Sequence, residues 1–426
     1  MRRVLLVAFH FPPIQGSSGV HRVLAFSRYL YAYGWQATVL TVHPRAFPTW
    51  LDTNRNMIPK HVEVVRAPAW DAARHFSVAG RYPDILARPD RWASWIPFAM
   101  LAGLRELDRK PYDAVFSTFP IASAHVIGRA LSRRRNLPWI ADFRDPMATA
   151  TYPPERTLRE QWMRIQTRAL EEAARITVTA PGAADFYREM YPHIDPAKLV
   201  VIPNGFDPEA FPQTRLAPAS RDPSAPTLLL HSGVMYPRER DPGPFFRALK
   251  KLRTDGKING TTLQVRLRAS GSEALFSKMI AEHDIGDIVS LAPSLPYNEA
   301  LSEMASADAL LLFQARVCNQ QIPAKAYEYL YIGRPILALA DPAGDTGQLM
   351  SRFGVQGIAA LEDADEIARM LEAQLPRIRA GTYPTAPRDA VMALSREKGA
   401  EELARHLDAI AERGGVREQK GAPLSA

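Results

Sequence analysis

The feature that most constrains the fold of this chain is a repeated alternation of short apolar, β-branched runs with segments of helical periodicity. Between the first two runs, Val20, Val23, Leu24, Leu30 and Tyr31 follow helical spacing, and Gly34 closes the segment. This rhythm predicts a parallel sheet wound by helices. The strands predicted in the first half are residues 4–9, 37–42, 62–65, 114–119, 139–142, 176–179 and 199–203.

A proline-rich stretch at residues 208–226 interrupts the alternation, which then resumes. Because 426 residues exceed what one core usually serves, a second domain is expected beyond this stretch. The fold class predicted is α/β, with two Rossmann-like doubly wound domains. The predicted boundaries are an N-terminal domain at 1–207, a linker at 208–226, a C-terminal domain at 227–388, a C-terminal helix returning toward the N-terminal domain at 389–411 and a disordered tail at 412–426. The later strands are predicted at 228–231, 263–268, 288–291, 309–313 and 335–340.

Charge and cysteine content exclude several classes of protein. The net charge of +8 comes from residues 1–200, which carry 27 Lys and Arg against 17 Asp and Glu. This basic half indicates that the protein binds an anionic partner, either a membrane surface or a phosphate-bearing acceptor. The sequence has no basic motif interleaved with aromatic residues, so nucleic acid is disfavoured as the partner. Cys318 is the only cysteine, so disulfides are excluded and a cytoplasmic location is expected. The sequence contains no run of about 18 apolar residues, so no membrane-spanning helix is predicted.

Two glycines, Gly16 and Gly19, follow the first predicted strand and open a helix. The free N–H groups of such a helix can face a phosphate, although the glycines could equally serve the turn alone. Thr41-Val42-His43 ends the second strand where a dinucleotide-binding domain needs an acidic residue, which disfavours an NAD enzyme.

Three charged residues, Asp142, Arg144 and Asp145, lie just beyond the carboxyl end of the strand at 139–142. Open α/β sheets bind ligands at that edge, so these residues are candidate site residues. The alternative is an internal ion pair of Arg144 with Asp145 or Asp142 that braces the loop.

In the second half, Ser232 and Gly233 end a predicted strand, and Arg238 and Arg240 follow. A guanidinium group there could hold a diphosphate. Lys325 and Glu328 lie on one face of a predicted helix, where the cation suits phosphate and the carboxylate suits ribose hydroxyls. The alternative is an ordinary surface ion pair.

These motifs together resemble the retaining family-4-like glycosyltransferases of bacterial polysaccharide and lipopolysaccharide assembly, which have the GT-B architecture of two Rossmann-like domains facing across a cleft. The residues that carry the resemblance are 11–13, 19–22, 138–146, 202–207, 231–233, 240–242, 307–311, 322–325, 328–330 and 333–335.

The resemblance implies a role for each candidate residue. Arg240 would contact the donor diphosphate and Glu328 the ribose. Gly16 and Gly19 would approach the donor from across the cleft, while Asp142, Arg144 and Asp145 would form the catalytic, acceptor side. Many members have an acidic residue where this chain has Gln320, and an arginine where it has Val234. Gln320 would therefore meet the donor sugar as an amide, and Arg238 or Arg240 would supply the missing charge.

The predicted function is therefore transfer of a sugar from a nucleotide-sugar donor to a glycan or lipid-linked acceptor, with retention and without metal or other cofactor. The alternatives are a nucleotide-sugar 2-epimerase and a non-catalytic sugar-nucleotide-binding subunit. Apolar residues among arginines at 81–109 predict either peripheral attachment to an anionic membrane or an ordinary buried helix with basic flanks.

Overall fold

Two parallel sheets, each wound by helices, form the framework of the protein. The computed structural model describes residues 1–14, 19–211, 224–237 and 239–420, with side chains described as far as Glu412 in the last helix. It divides into unit 1, Met1–Pro203 with Arg396–Ala426, and unit 2, Asn204–Ser395. The predicted α/β class with two Rossmann-like domains is confirmed.

Unit 1 contains a seven-stranded sheet in the order β3-β2-β1-β4-β5-β6-β7. All paired strands run parallel, and the chain changes winding direction between β1 and β4. Every residue of β4 is buried, as expected for a strand covered by helices on both faces. The strands are β1 Arg2–Val7, β2 Trp35–Val42, β3 Glu63–Ala67, β4 Ala114–Thr118, β5 Trp139–Arg144, β6 Arg175–Val178 and β7 Leu199–Val201.

The helices of unit 1 connect these strands. The first continues as a 3₁₀ turn, Leu30–Tyr33, and closes at Gly34 in the left-handed conformation, as the glycine predicts. The helices before the linker are α1 Gly19–Tyr29, α2 Ala72–His75, α3 Trp95–Arg109, α4 Ala122–Arg135, α5 Arg156–Glu172 and α6 Pro181–Met190.

Unit 2 contains a six-stranded parallel sheet in the order β10-β9-β8-β11-β12-β13. Its last strand has only three residues, too few for the sequence pattern to reveal. The strands are β8 Thr227–Ser232, β9 Leu263–Arg268, β10 Val289–Ala292, β11 Ala309–Gln314, β12 Ile336–Ala340 and β13 Gly357–Ala359. The helices are α7 Gly243–Thr254, α8 Glu273–Glu282, α9 Tyr297–Ser306, α10 Ala324–Ile332, α11 Asp345–Arg352, α12 Ala364–Arg379 and α13 Arg388–Met392.

The division between the units differs from the predicted boundary at residue 207. Phe206 is fully buried and stacks on Tyr331 of α10, with ring centroids 4.2 Å apart. It also forms a parallel β-bridge to Ser395. These contacts place residues from Asn204 onward in unit 2. Residues 212–223 of the predicted linker lie outside the described residues.

The C-terminal segment also differs from prediction. Instead of one helix at 389–411, α13 ends at Met392 and a long helix, α14, spans Arg396–Lys420 in unit 1. Asp408 of α14 accepts hydrogen bonds from Arg2 (2.7 Å) and from the indole of Trp35 (3.0 Å). The tail was predicted to be disordered from residue 412, but it is helical to Lys420. The adjacent glycines at 414 and 415 weaken the helix by about 1 kcal/mol each and do not end it. Residues 421–426 lie outside the described part.

Candidate functional site

The carboxyl end of β8 and the start of α10 bring the first candidate residues together in unit 2. His231 occupies the penultimate position of β8 and is fully buried. Lys325 lies in the first turn of α10, and its Nζ is 3.0 Å from Nε2 of His231. Open parallel sheets bind ligands at this edge, where helix N-termini also favour anions.

Gly233 and Arg240 complete the cationic side of this group. Gly233 adopts φ +113°, and a Cβ built there would lie 3.0 Å from Nζ of Lys325. Arg240 donates from Nη1 to the carbonyl oxygen of Val234 (3.0 Å) and lies over the ring of Tyr236. The Nε of Arg240 is buried and has no hydrogen-bond partner. Gly233 therefore lies beside the amine of Lys325, and Arg240 is near enough for its charge to act on the lysine.

The acidic side is Glu328, one helical turn after Lys325. Its Oε1 accepts a hydrogen bond from the hydroxyl of Tyr297 in α9 (3.0 Å). The backbone N–H of Ser232 donates to the hydroxyl of Tyr329 in α10 (3.2 Å), which ties β8 to α10. Gln320 is exposed in the loop before α10, and Arg238 lies outside the described residues.

The charges at this edge are tuned by burial. Desolvation, followed by the positive charge of Arg240, lowers the pKa of Lys325 to about 7, while Glu328 opposes the shift. Desolvation and the charge of Lys325 also hold the pKa of His231 well below its ordinary value. Lys325 is thus a cation that is easily neutralised, and it lies with the fixed guanidinium of Arg240 and the carboxylate of Glu328. Together these groups can bind an anion beside a hydroxyl-bearing group.

In unit 1, Asp142 at the end of β5 is fully buried and forms an ion pair with Arg22 of α1. The Nε and Nη2 of Arg22 lie 3.1 and 2.9 Å from the two carboxylate oxygens. The hydroxyls of Thr118 (2.7 Å) and Thr177 (2.6 Å) donate to the same carboxylate. Burial opposes ionisation, but Arg22 and the other donors outweigh it and hold the pKa of Asp142 below its usual range. Asp142 is thus saturated by protein groups, and its partner is Arg22 rather than the Arg144 considered from sequence.

Arg144 and Asp145 follow at an irregularity of β5, where the register with β6 shifts. Arg144 adopts φ +65°, which is strained for a residue with a side chain, and its Nη1 donates to the carbonyl oxygen of Phe119 (3.2 Å). The hydroxyl of Thr179 donates to Asp145 (3.2 Å), and burial raises the pKa of Asp145.

Arg144 and Gly19 line a narrow crevice at the carboxyl edge of this sheet. His10 also lines it, and its Nδ1 is buried without a hydrogen-bond partner. Burial, followed by the charge of Arg144, lowers the pKa of His10 to about 4. The structure thus brings Gly19 and Arg144 together, while Gly16 lies outside the described residues.

Three residues that matter here were given no role from the sequence. Arg22 and His231 lie in the segments 19–22 and 231–233 that carry the resemblance, but their partners, Asp142 and Lys325, are far away in the chain. Tyr297 reaches Glu328 across 31 positions of sequence, and nothing in the sequence connects the two.

Among the described residues, no group of three or more His, Cys, Asp and Glu side chains is arranged to hold a metal ion. Within the same ranges, none of the helices combines the length and apolar character needed to cross a bilayer.

Comparison with known proteins supports a glycosyltransferase. Residues 18–205 match the family described as Glycosyl transferase 4-like domain. No curated protein matches the sequence.

Solved structures with similar folds cover nearly the whole chain. Sucrose-phosphate synthase from Thermosynechococcus elongatus has 15% identity and a TM-score of 0.63, with 99% of each chain covered. Anabaena HepE in complex with UDP and glucose has 15% identity and a TM-score of 0.64, covering 96% of this chain and 100% of its own. WaaG, a glycosyltransferase involved in lipopolysaccharide biosynthesis, has 14% identity and a TM-score of 0.57, covering 96% and 98%. The chain has the fold of these GT-B enzymes and carries a glycosyl transferase 4-like match over residues 18–205, which together support a glycosyltransferase.

Proposed function

We propose that the protein transfers a sugar from a nucleotide-diphosphate donor to a glycan or lipid-linked acceptor, with retention of configuration and without a metal. The observation that carries this proposal is the grouping of Lys325, Arg240 and Glu328 at the carboxyl edge of the sheet in unit 2. The cations suit the diphosphate and the carboxylate suits the ribose hydroxyls. HepE with UDP and glucose has the same fold, which makes a UDP-sugar the first donor to test.

Departure of a nucleoside diphosphate leaves negative charge on the leaving oxygen, and stabilising that charge is the main electrostatic demand of the transfer. Protonated Lys325 and the guanidinium of Arg240 lie beside a helix N-terminus and can meet that demand. Metal independence follows as part of the proposal: activity should persist in the presence of a chelator, and strict dependence on a divalent cation would contradict it. Retention should appear as an unchanged anomeric configuration when the product is analysed by NMR.

Arg144, Asp145 and Gly19 belong to the proposed acceptor side in unit 1, where Arg144 and Gly19 line the same narrow crevice as His10. Asp142 contributes by holding this loop through Arg22 rather than by touching substrate, because protein donors occupy its carboxylate. Substitution of Arg144 should therefore reduce transfer to acceptor more than binding of donor.

The test is a thermal-shift screen of the purified protein against UDP-, GDP-, ADP- and CMP-linked sugars, because a ligand that binds the native state raises its Tm. The shift should occur with one nucleotide class and disappear in Glu328→Ala and in Arg240→Ala. The exposed residue Lys251, paired with Asp365 on the same unit, provides the matched control Lys251→Ala, which should retain the shift. No shift with any nucleotide would reject a nucleotide-sugar site.

Two other functions are separated by turnover. A nucleotide-sugar 2-epimerase would convert the donor in the absence of acceptor, which NMR of donor incubated alone would reveal. A non-catalytic subunit would bind the donor, yet show neither epimerisation nor transfer to membrane extracts or glycan acceptors.

Attachment to an anionic membrane is proposed for the segment around α3. The large apolar side chains in this segment differ in exposure. Trp95 is fully buried, whereas Phe98, Leu101 and Trp70 are 37%, 50% and 40% exposed. The rings of Trp70 and Phe98 meet with centroids 5.2 Å apart. Thus one face of α3 packs in the core, as an ordinary buried helix would, while the other presents aromatic and aliphatic groups among arginines.

Sedimentation with vesicles containing phosphatidylserine tests this attachment. Trp70→Ser with Leu101→Ser should lower bound protein roughly tenfold, because interfacial aromatic and aliphatic groups supply apolar burial. Leu275→Ser changes a comparably exposed leucine of unit 2 and should leave binding unchanged. Failure of the unmodified protein to bind such vesicles at low salt would reject the attachment.

A further inference from the structure

Both ring nitrogens of His231 have partners. Its Nδ1 lies 2.9 Å from the carbonyl oxygen of Leu311, and its Nε2 lies 3.1 Å from the carbonyl oxygen of Gly233 and 3.0 Å from Nζ of Lys325. Because a carbonyl oxygen can only accept, the neutral ring donates to one of the two carbonyls; with the hydrogen on Nδ1, which makes the shorter contact, Nε2 accepts from Lys325. The buried imidazole therefore directs the lysine side chain at the edge of the sheet.

Gly233 leaves room for this arrangement. A methyl group at that position would lie 3.0 Å from Nζ of Lys325, and the φ of +113° disfavours any residue with a Cβ. The backbone after β8 and the imidazole of His231 together define where the amine lies.

We propose that His231 positions Lys325 for the donor diphosphate, and that the donor binds together with one proton, which Lys325 takes up. This inference rests on the proposed nucleotide-sugar site in unit 2. It adds a positioning residue and a proton-coupled step that the resemblance to glycosyltransferases does not supply.

The charged groups that face Lys325 come from three elements. His231 lies on β8, Arg240 precedes α7, and Glu328 is on the same helix as the lysine. Burial and then the charge of Arg240 disfavour the ammonium form, whereas Glu328 favours it, and the pKa of Lys325 is lowered to about 7. The pKa of His231 is lower still, so the proton taken up resides on the lysine. A diphosphate brings negative charge beside the amine and raises its pKa.

The direction of the pH dependence follows from the pKa of Lys325 with and without bound donor. The pKa is higher with donor bound than without it, so donor affinity is greatest below about pH 7. Above that pH, affinity falls up to about tenfold per pH unit until the pKa of the bound state is reached. The phosphates of a nucleotide-diphosphate sugar stay ionised over this range and do not contribute.

The experiment is isothermal titration calorimetry of the full chain with UDP-glucose in two buffers of different ionisation enthalpy. At about pH 8.5 the difference in binding enthalpy between the two buffers should correspond to uptake of close to one proton, and at about pH 6 to almost none. Lys325→Arg keeps a permanent cation, so it should bind with no proton uptake at either pH. Binding by the unmodified protein without proton uptake at about pH 8.5 would overturn the inference while leaving the proposed function intact.

The positioning role of His231 is tested with two variants. His231→Phe removes the acceptor, so donor affinity should fall about tenfold and its pH midpoint should shift to lower pH, because the ammonium loses a hydrogen bond. His231→Asn retains an oxygen acceptor and should recover part of both. An unchanged midpoint in a folded His231→Phe protein would remove His231 from the mechanism. If neither UDP-, GDP- nor ADP-glucose binds, the proposed function fails, and this inference fails with it.

Discussion

Arg22 and Asp142 form an ion pair in the interior of unit 1, with the side chain of Arg22 3% exposed and that of Asp142 wholly enclosed. Arg22 also donates to the carbonyl oxygens of Ile202 (2.9 Å) and Pro203 (3.0 Å) at the end of the unit. One guanidinium thus joins α1, β5 and the last residues before unit 2. The relationship ties the candidate loop at Arg144 to the framework of the sheet.

Removal of Arg22 should therefore destabilise the protein strongly. Arg22→Met leaves a buried carboxylate without its counter-charge, and we expect the free energy of unfolding to fall by about 3–5 kcal/mol, measured by urea denaturation. The double variant Arg22→Met with Asp142→Asn should recover part of that loss. Arg156→Ala removes a guanidinium from an exposed pair with Glu160 and should leave stability unchanged. Equal effects of the Arg22 and Arg156 substitutions would contradict the buried network.

The same pair predicts a loss of stability in acid. The pKa of Asp142 is lower in the folded protein than in the unfolded chain, so its contribution is fully present above the unfolded value of about 4. That contribution is lost as pH falls through the folded pKa. Urea midpoints recorded between about pH 6 and pH 3 should fall less steeply in the Asp142→Asn variant than in the unmodified protein.

Gly233 should be intolerant of substitution for reasons that combine stability and function. Gly233→Ala places a methyl group against Lys325 at a φ of +113°, and we expect about 1–3 kcal/mol of destabilisation together with loss of donor binding. Gly256→Ala is the matched control, because that residue has φ +68° and open space around its Cβ position. It should cost about 1 kcal/mol and leave donor affinity unaltered. Donor binding by a folded Gly233→Ala protein at full affinity would show that the amine need not occupy its observed position.

Arg144 should show a conflict between stability and activity. Its φ of +65° favours glycine, so Arg144→Gly should be more stable than Arg144→Ala by about 1 kcal/mol in thermal or urea unfolding. Both variants should lose most transfer activity while retaining the donor-induced thermal shift. Full activity in either variant would assign the strained residue a purely structural role.

Tyr297 should influence the donor site through Glu328. Tyr297→Phe removes the hydroxyl that lies 3.0 Å from Oε1 of the carboxylate, so the carboxylate is held less firmly. We expect donor affinity to fall several-fold with little change in Tm, as measured by calorimetry and thermal unfolding. Tyr236→Phe, which keeps the ring beneath Arg240, serves as a comparison and should bind donor normally.

The strand pattern was recoverable from sequence because buried parallel strands need continuous apolar runs. All seven strands of unit 1 were found, and in unit 2 only the three-residue strand Gly357–Ala359 was missed. Helix ends were less predictable. Helix α14 begins at Arg396, directly after Ser395, which forms a β-bridge to the distant Phe206, and the glycine pair at 414–415 did not end the helix.

What the sequence by itself determined was the alternation of elements and the types of the candidate residues, with Arg144 and Asp145 at the carboxyl end of a strand and Lys325 and Glu328 on one face of a helix. Both follow from local patterning, since the hydrophobic periodicity of strands and helices depends on residues that are near each other in the sequence. Only the tertiary structure decided that Asp142 is saturated by Arg22, that His231 directs Lys325 and that Tyr297 holds Glu328. Each of those contacts joins residues far apart in the chain, and its geometry depends on how the helices pack on the sheets, which residue spacing does not encode.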